Sequence, residues 1–367
     1  MYPSFIIEYG VAPHHLSKEV FIGIVKWLRE TRVEAKHTGR KLEADALKIV
    51  INRIYGALND AMDYLYDPEC TYTVTINLQL LLCGLIEAFE LNNFDVLSAN
   101  TDGLLVRLPL NRQDVFKHIC NEWSAYSKLD LETEKFEKYC RSAVNDYIAV
   151  GYGFYDALQE YNRCGVWIDS KGKTYTTRQA IEDKFIKFKG YFLQDPEYNK
   201  GFVYPVIKKA LKEYFLYGVN ITEFIRNYIN TSRTAIYDYC FSQKVAGKYT
   251  TIYKTVRDGK PVCIKCQKHN RFYICKSGGG AITKAIVPDS DNIAYGDDIS
   301  GIVVEEEKSL VADQRVALFN DYEYKEDYNL NYGFYINEAY KILYGNGKTG
   351  KGERRGINNN SNNLFGW

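Results

Sequence analysis

The chain has 367 residues, of which 46% are hydrophobic and 25% are charged, which is typical of a soluble globular protein with roughly two or three packed units. Its net charge is +1. The nine cysteines are scattered and we expect no signal peptide, which favours reduced thiols and a cytoplasmic location over a secreted disulfide scaffold. The apolar stretch 76–89 is short and contains Asn77, Gln79 and Glu87, so we predict a core helix and no membrane span.

Charge is distributed unevenly along the chain. Residues 201–280 contain 14 Lys and Arg against 4 Asp and Glu, a net charge of +10, whereas residues 281–330 contain 4 against 12, a net charge of −8. A basic block inside a nearly neutral chain indicates a polyanionic partner such as nucleic acid, or else an ordinary solvated basic face. The charge alone leaves both interpretations open.

Hydrophobic periodicity predicts two helices near the start of the chain. Apolar residues repeat at helical spacing over 21–36, His37-Thr38-Gly39 interrupts them, and a second helix follows over about 43–58. Two helices separated by so short a break form an antiparallel hairpin. The apolar stripe predicted for the second helix is Leu47, Val50, Ile51, Ile54 and Leu58.

A β-hairpin and a mixed remainder follow the helix predicted at 76–89. Residues Val96 to Leu108 read VLSANTDGLLVRL, two apolar runs about a small polar turn, so Asp102 is expected at a hairpin tip. Helices and short hairpins then continue to about Leu343, which predicts an α+β fold. The stretch 345–367 is rich in Gly and Asn, and we expect a flexible tail.

Polar side chains share faces on the two predicted helices. Lys48, Asn52 and Tyr55 lie at i, i+4 and i+7, away from the apolar stripe. On the preceding helix, Arg32 and Lys36 are four residues apart. Such a set suits a triphosphate, because cations neutralise phosphate oxygens and a tyrosine ring offers a stacking surface. An exposed face with cations at helix ends explains the same spacing.

Asp102 has the placement of a possible metal ligand. A turn between two strands holds its carboxylate rigidly and near solvent, as a Mg²⁺ ligand must be held. Phosphoryl transfer by two metal ions needs carboxylates from at least two elements, with the ions roughly 4 Å apart. A single Asp in a turn is also ordinary turn chemistry.

Together, and in this order, these stretches resemble motifs of family B DNA polymerases of the phage type. The motifs near the start of the chain are MYPSFIIEYGVAP (1–13), similar to D-x-x-S-L-Y-P-S-I-I-I, RVEAK (32–36), similar to R-x-x-x-K of the fingers, KIVINRIYG (48–56), similar to K-x-x-x-N-S-x-Y-G, and SANTDG (98–103), similar to Y-G-D-T-D-S. Those that follow are NDYIAV (145–150), similar to K-K-x-Y-I-G, and KFKGYF (187–192), HNRFYICKSGG (269–279) and YINEAYKIL (335–343), which resemble palm-to-thumb and thumb segments.

The resemblance implies a right-hand architecture with an α+β palm, a helical fingers hairpin and a mostly helical thumb. The implied segments are palm at 1–18 and 59–150, fingers at 19–58, thumb at 151–344 and a flexible tail at 345–367. It also implies a DNA-directed DNA polymerase, a nucleotidyltransferase in which the primer 3′-hydroxyl attacks the α-phosphate of a dNTP between two Mg²⁺ ions.

Residue roles follow from the same resemblance. Asp102 would be a metal ligand, and Lys48 would bind the triphosphate and protonate the pyrophosphate leaving group. Tyr2 would pack under the sugar and exclude a 2′-hydroxyl. The full nucleotide-binding set would be Tyr2, Arg32, Lys36, Lys48, Asn52 and Tyr55. The residues implied to contact primer-template DNA are Tyr147, Lys187, Lys189 and Arg271.

The chain departs from the family pattern at several positions. Asn100 replaces the first acid of D-T-D, and Arg53 replaces a small residue of N-S-x-Y-G. Asn145 and Asp146 replace the basic pair of K-K-x-Y, which weakens the expected phosphate contact.

The start of the chain bears on the second metal ligand. Met1 stands at the family's Leu of S-L-Y-P-S, so the partner Asp would precede the chain. We therefore expect one metal ligand from outside this chain, an N-terminal polymerase/exonuclease chain as partner, and poor primer extension by this chain alone. The alternatives are a truncated reading frame or a non-catalytic DNA-binding remnant of a polymerase.

Three further signals have competing explanations. Leu364, Phe365 and Trp367 could anchor the tail in a sliding clamp, although folding back onto the thumb explains them as well. The spacing of Cys263, Cys266, His269 and Cys275 is unusual for a structural zinc site, and we predict a strand hairpin there. Gly278, Gly279 and Gly280 lack the Walker pattern, so a hairpin turn is predicted.

Overall fold

A computed structural model describes residues 1–101, 103–143, 145–190 and 204–344. The implied metal ligand Asp102 and the tail 345–367, with its proposed clamp anchors Leu364, Phe365 and Trp367, lie outside the described residues. The described residues are 47% helix and 23% strand, which confirms a mixed fold consistent with the α+β class. It divides into two compact units, Met1–Glu134 and Lys135–Trp367.

The first unit is mostly helical. Its elements are α1 (Tyr2–Tyr9), α2 (Lys18–His37), α3 (Lys41–Leu58), α4 (Pro68–Leu91), β1 (Asp95–Asn100), β2 (Gly103–Arg107) and α5 (Gln113–Ser127). Apolar side chains from α1, α2, α4 and α5 form one core, which includes Phe5, Val25, Val74, Leu85 and Trp123. The burial of this shared face stabilises helices that would be marginal in isolation.

The predicted helical hairpin is confirmed. The hydroxyl of Ser17 accepts a hydrogen bond from the amide of Val20 and caps α2, and only residues 38–40 separate α2 from α3. Ile51 and Leu58 are buried as predicted. The inclusion of Val50 in the buried stripe was wrong, because its side chain is 46% exposed.

Helix α4 begins eight residues before the predicted start at Ile76. The carboxylate of Asp67 accepts a hydrogen bond from the amide of Cys70, and Pro68 occupies the first turn. Both are helix-start signals that the apolar run alone does not contain. Within the described residues, α4 is the one helix long and apolar enough to cross a membrane, although it packs one face into the core of the first unit.

The second unit combines helices with antiparallel sheets. Its elements in chain order are β3 (Phe136–Ala143), β4 (Asp146–Gly151), α6 (Phe154–Cys164), β5 (Trp167–Ile168), β6 (Thr174–Tyr175), α7 (Arg178–Phe185), β7 (Ile186–Lys189), α8 (Pro205–Tyr217), α9 (Ile221–Asn227), β8 (Cys240–Lys244), β9 (Thr250–Arg257), β10 (Lys260–Cys266), β11 (His269–Cys275), β12 (Ala281–Ile286), β13 (Glu305–Ser309), β14 (Arg315–Leu318) and α10 (Tyr332–Tyr344). The sheets have strand orders β3-β4-β7, β5-β6, β10-β9-β12-β13 and β14-β11-β8.

The region expected to be a mostly helical thumb contains extensive sheet. Residues 240–318 hold β8 to β14, so the expectation is wrong for this stretch. The implied boundary at 150/151 falls at the end of β4, inside a sheet that also contains β7, whereas the two compact units divide at 134/135. Strand pairing between distant segments, which no local pattern encodes, produces this arrangement.

The predicted hairpins in the Cys- and Gly-containing segment are wrong. Strands β10 and β11 are adjacent in sequence, but β10 pairs with β9, whereas β11 pairs with β8 and β14. Gly278–Gly280 likewise connects β11 and β12, which belong to different sheets. A Cβ atom at Gly280 would lie 2.1 Å from the carbonyl oxygen of Lys254, so close packing requires glycine at this crossing.

Candidate functional site

Two tyrosines from separate segments stack in the first unit. The rings of Tyr2 on α1 and Tyr55 on α3 lie 4.1 Å apart between centroids, with 5° between their planes. The Tyr55 hydroxyl is 2.8 Å from Oγ1 of Thr75 on α4. Because the Thr75 hydroxyl donates its proton to the carbonyl of Thr71, the Tyr55 hydroxyl is the donor to Thr75. Tyr55 on α3 thus contacts α1 through its ring and α4 through its hydroxyl.

Tyr55 differs from the other residues predicted on its helix face. Lys48 and Asn52 are exposed on α3, as predicted, whereas Tyr55 is half-buried against the core. The exposed part of the face that these three residues share therefore ends before Tyr55. This places the ring between the exposed part of the hairpin and the core, where stacking with Tyr2 covers one of its faces.

The cations of the hairpin lie on both helices. Lys36 is exposed, and Arg32 is half-buried with a buried Nε atom that has no hydrogen-bond partner among the described residues. Arg32 lies seven residues before Gly39 and Lys48 nine residues after it. At 1.5 Å per residue, Arg32 and Lys48 are within about 3 Å of each other along the hairpin axis. A buried donor without a partner is costly, and an anion would satisfy it.

The β1–β2 hairpin is confirmed up to its turn. Asn100 pairs with Gly103, and Thr101, which follows β1, has a φ of 50°. Among the described residues, no group of three or more His, Cys, Asp and Glu side chains could hold a metal ion. Asp102 is outside that set, so its role as a metal ligand stays a prediction.

Arg53 has a local structural role. Its guanidinium forms ion pairs with Asp60 at 3.1 Å and with Asp63 at 2.9 Å. These contacts hold the connection after α3 against the end of that helix. The arginine that replaces a small residue of the family motif is thus accommodated at the surface, where its ion pairs stabilise the connection after α3.

In the second unit, the sheet β3-β4-β7 brings together three residues predicted to contact DNA. Tyr147 pairs with Lys189 across β4 and β7, and Ala149 pairs with Lys187. Directly opposed residues share a face, which confirms that the two lysines lie on one side of β7. The opposite side is buried and includes Cys140, Ile148 and Ile186.

The exposed side of this sheet carries residues that sequence analysis missed. Arg141 pairs with Tyr147 across β3 and β4, and the rings of Tyr139 and Tyr147 stack at 5.0 Å between centroids. The Nζ atom of Lys187 lies 5.9 Å from the centroid of the Phe136 ring. We name the set of Phe136, Tyr139, Arg141, Tyr147, Lys187 and Lys189 the aromatic-basic face. The alternation of apolar and polar residues in FEKYCRSA indicates a strand, but only the pairing register of β3 and β4 shows that this strand lies beside Tyr147.

Arg271 does not belong to the aromatic-basic face. It lies on β11, in a different sheet, where its guanidinium carbon is 5.0 Å from the centroid of the Tyr237 ring. Part of the basic block is also neutralised within the unit, because Lys248 pairs with Glu306 and Lys254 pairs with Glu307. The acidic block thus offsets some of the charge that had suggested a polyanionic partner.

Neither a protein-family model nor a curated protein sequence matches this chain.

The hydrogen bond between Tyr55 and Thr75 provides a local test of the site. Tyr55→Phe should lower the free energy of unfolding of the first unit by about 1 kcal/mol, because it removes one hydrogen bond. Thr75→Val should lower it by more, because it also removes the bond from Thr75 to the carbonyl of Thr71. The double variant should lose little more than Thr75→Val alone, as residues in one bond are coupled. Urea unfolding followed by circular dichroism measures these changes. Tyr72→Phe, at an exposed tyrosine of α4, is the matched control, and fully additive losses would contradict the contact.

Proposed function

We propose that this chain is the polymerase part of a family B-type DNA polymerase, which adds deoxynucleotides to a primer under the direction of a DNA template. The observation that carries the proposal is the Tyr2–Tyr55 stack. The resemblance assigned both residues to one nucleotide pocket through two separate motifs. Two residues that line one pocket should lie close together, and the contact between their rings supports the proposal for that reason.

The helical hairpin supports a role in triphosphate binding. Lys48 and Arg32 lie at similar heights on its two helices, and the Arg32 Nε is buried without a partner among the described residues. A triphosphate would supply anionic acceptors to both cations, and the exposed Lys36 and Asn52 are available on the same hairpin. In this proposal Lys48 also donates a proton to the departing pyrophosphate.

Asp102 is the proposed Mg²⁺ ligand. Mg²⁺ ions at this site would stabilise charge on the α-phosphate during attack by the primer 3′-hydroxyl. Two ions need carboxylates from at least two elements, and we propose that a further ligand comes from another polypeptide. An N-terminal chain with exonuclease activity is the partner that the resemblance implies.

The aromatic-basic face is the proposed primer-template contact. Arg and Lys side chains neutralise phosphates, and the half-buried aromatic rings of this face offer stacking surfaces for sugars and bases. Arg271 remains a proposed DNA contact on its own sheet. The clamp contact of the tail and a cytoplasmic location, in the host cell if the gene belongs to a phage, likewise stay proposals.

A primer-extension experiment tests the proposed function. The chain is assayed with Mg²⁺, primer-template DNA and dNTPs, alone and together with a polypeptide that carries a D-x-x-S segment. We expect extension in the second arm and little or none in the first. Template-directed extension in either arm supports the proposal. Binding of DNA without any extension or dNTP binding would favour a non-catalytic remnant, and no DNA binding at all would contradict both readings.

Lys48→Ala provides the residue-level test. We expect about tenfold weaker dNTP binding, because an exposed charge-assisted contact is worth about 1.5 kcal/mol. Fluorescence titration with a labelled dNTP in the presence of primer-template measures this affinity. Lys41→Ala, at an exposed lysine on the same helix, is the matched control and should bind normally. Equal effects of the two substitutions would contradict a specific role for Lys48.

A further inference from the structure

The hairpin α2–α3 is attached to the rest of its unit through two connections, residues 10–17 before α2 and residues 59–67 after α3. The second connection is fastened to α3, because the amide of Asp67 donates to the carbonyl of Leu58 at 2.9 Å and Arg53 pairs with two of its acids. Contacts between the two connections therefore determine how the hairpin is mounted.

Two consecutive histidines join these connections. The backbone amide and the Nδ1 atom of His14 are each 2.8 Å from Oδ2 of Asp67. The Nε2 atom of His15 is 2.8 Å from the carbonyl oxygen of Tyr64, and the two rings meet edge to face at 5.6 Å. Because a carboxylate and a carbonyl only accept, His14 carries a proton on Nδ1 and His15 on Nε2.

Asp67 is a buried and fully engaged partner. It is 7% exposed, and its second oxygen accepts from the amide of Cys70 at the start of α4. Burial by itself would raise the pKa of Asp67, but the hydrogen bonds from Cys70 and His14 outweigh it and lower the pKa to about 2. The carboxylate is therefore charged throughout the physiological range, and His14 is the group that can change protonation.

The charged surroundings of His14 favour its protonated form. The hydrogen bond to Asp67, and then the charges of Asp67 and Glu69, raise the pKa of His14. Oε2 of Glu69 lies 3.9 Å from Nε2 of His14. Lys18, at the start of α2, lines the same cavity as His14. Two carboxylates thus face the imidazole on the side of α4, and one ammonium faces the cavity.

The cavity beside the histidines has a volume of about 400 Å³. Its lining comes from the connection 10–16, from Lys18 at the start of α2 and from Glu69, Cys70 and Thr73 on α4. Close-packed interiors resist displacement, whereas open space beside a connection allows it to shift. The connections at the joint are therefore held by a few polar contacts next to open space, while apolar side chains such as Val25 hold the hairpin itself to the core.

We propose that His14 and Asp67 are positioning residues for the α2–α3 hairpin and form a proton-dependent clamp. The clamp is strongest when His14 is charged; when His14 is neutral, the hydrogen bonds to Asp67 remain but the charge attraction is lost, and the start of the hairpin shifts more readily. Because the pKa of His14 is raised, this stabilisation is fully present below the ordinary histidine value of 6.5. It is lost as the pH rises through the higher value of the folded state.

Fluorine NMR of Trp27 tests the clamp without any nucleotide. Trp27 is exposed on α2, and 5-fluorotryptophan can replace the four tryptophans of the full chain, with Trp27→Phe assigning its signal. We expect the Trp27 signal to shift between pH 6 and pH 9 with a midpoint above 6.5. His14→Gln keeps a hydrogen-bonding side chain but cannot be charged, so it should abolish this shift.

Two controls separate the clamp from general effects of pH. His15→Gln removes a neighbouring histidine and should leave the Trp27 titration in place. Trp123, in the core of the same unit, should show no shift in this range. A Trp27 titration that persists unchanged in His14→Gln, or that disappears equally in His15→Gln, would overturn the proposal.

The nucleotide arm of the test rests on the proposed function. If the hairpin binds a triphosphate, dNTP affinity should fall about fivefold between pH 6.5 and pH 8.5, at the low end of ordinary coupling between sites. His14→Gln should show a flat profile over the same range. A Trp27 titration without dNTP binding would support the clamp and contradict the proposed function. Binding with a pH profile unaffected by His14→Gln would contradict the clamp alone.

Discussion

Asp102→Asn should lower the rate of Mg²⁺-dependent nucleotide addition at least about 1,000-fold, in whichever arm of the extension assay shows activity. Loss of a metal ligand removes several kcal/mol of stabilisation from the charged transition state, and each 1.36 kcal/mol is a factor of ten. The amide has the same shape but no charge. Single-turnover addition of one dNTP measures the rate, and gel-shift titration should show unchanged primer-template binding.

Asp95→Asn is the matched control for this substitution. Asp95 lies on the same β-hairpin, at the far end of β1, where its exposed carboxylate pairs with Arg107 at 3.1 Å. A surface pair of this kind contributes little to stability, so the variant should keep nearly full activity. If Asp102→Asn extends primers as well as the control does, another group binds the metal and the assignment is wrong.

Simultaneous reversal of two lysines, Lys187→Glu and Lys189→Glu, should weaken primer-template binding about 100-fold at low salt. Both lysines lie on the aromatic-basic face, beside Tyr147. If each contacts one phosphate, the slope of log K against log salt should also become less negative by about 1.8. Fluorescence anisotropy across a salt series measures both quantities. The loss should be similar for unrelated sequences, because phosphate contacts do not read bases.

Lys171→Glu with Lys173→Glu makes the same change in charge elsewhere in the second unit. These lysines are exposed at the β5–β6 hairpin, where Asp169 accepts hydrogen bonds from their backbone amides, which both substitutions leave in place. We expect a loss of affinity below about fivefold. Equal losses in both double variants would mean that net charge, and not the aromatic-basic face, governs binding.

The sequence alone determined the elements whose signals are local. The α2–α3 hairpin, the β1–β2 hairpin and the shared face of Lys187 and Lys189 were all predicted from periodicity. They follow because periods of 3.6 and 2 residues reflect the geometry of one helix or one strand. The sequence also contains the start signals of α4, the capping residue Asp67 and Pro68, but the helix was predicted from the apolar run alone, which begins later.

The tertiary structure decided which distant segments meet. The stack of Tyr2 on Tyr55 depends on α1 packing beside α3, and Arg141 joins Tyr147 only through the register of β3 and β4. Strands β10 and β11 show the same principle in reverse, since neighbours in sequence entered different sheets. Burial of a whole apolar face favours such pairings, and the entropy cost of closing the loop between the segments opposes them. A short window of sequence contains neither the distant partner nor the length of the loop, so it cannot predict which pairing forms.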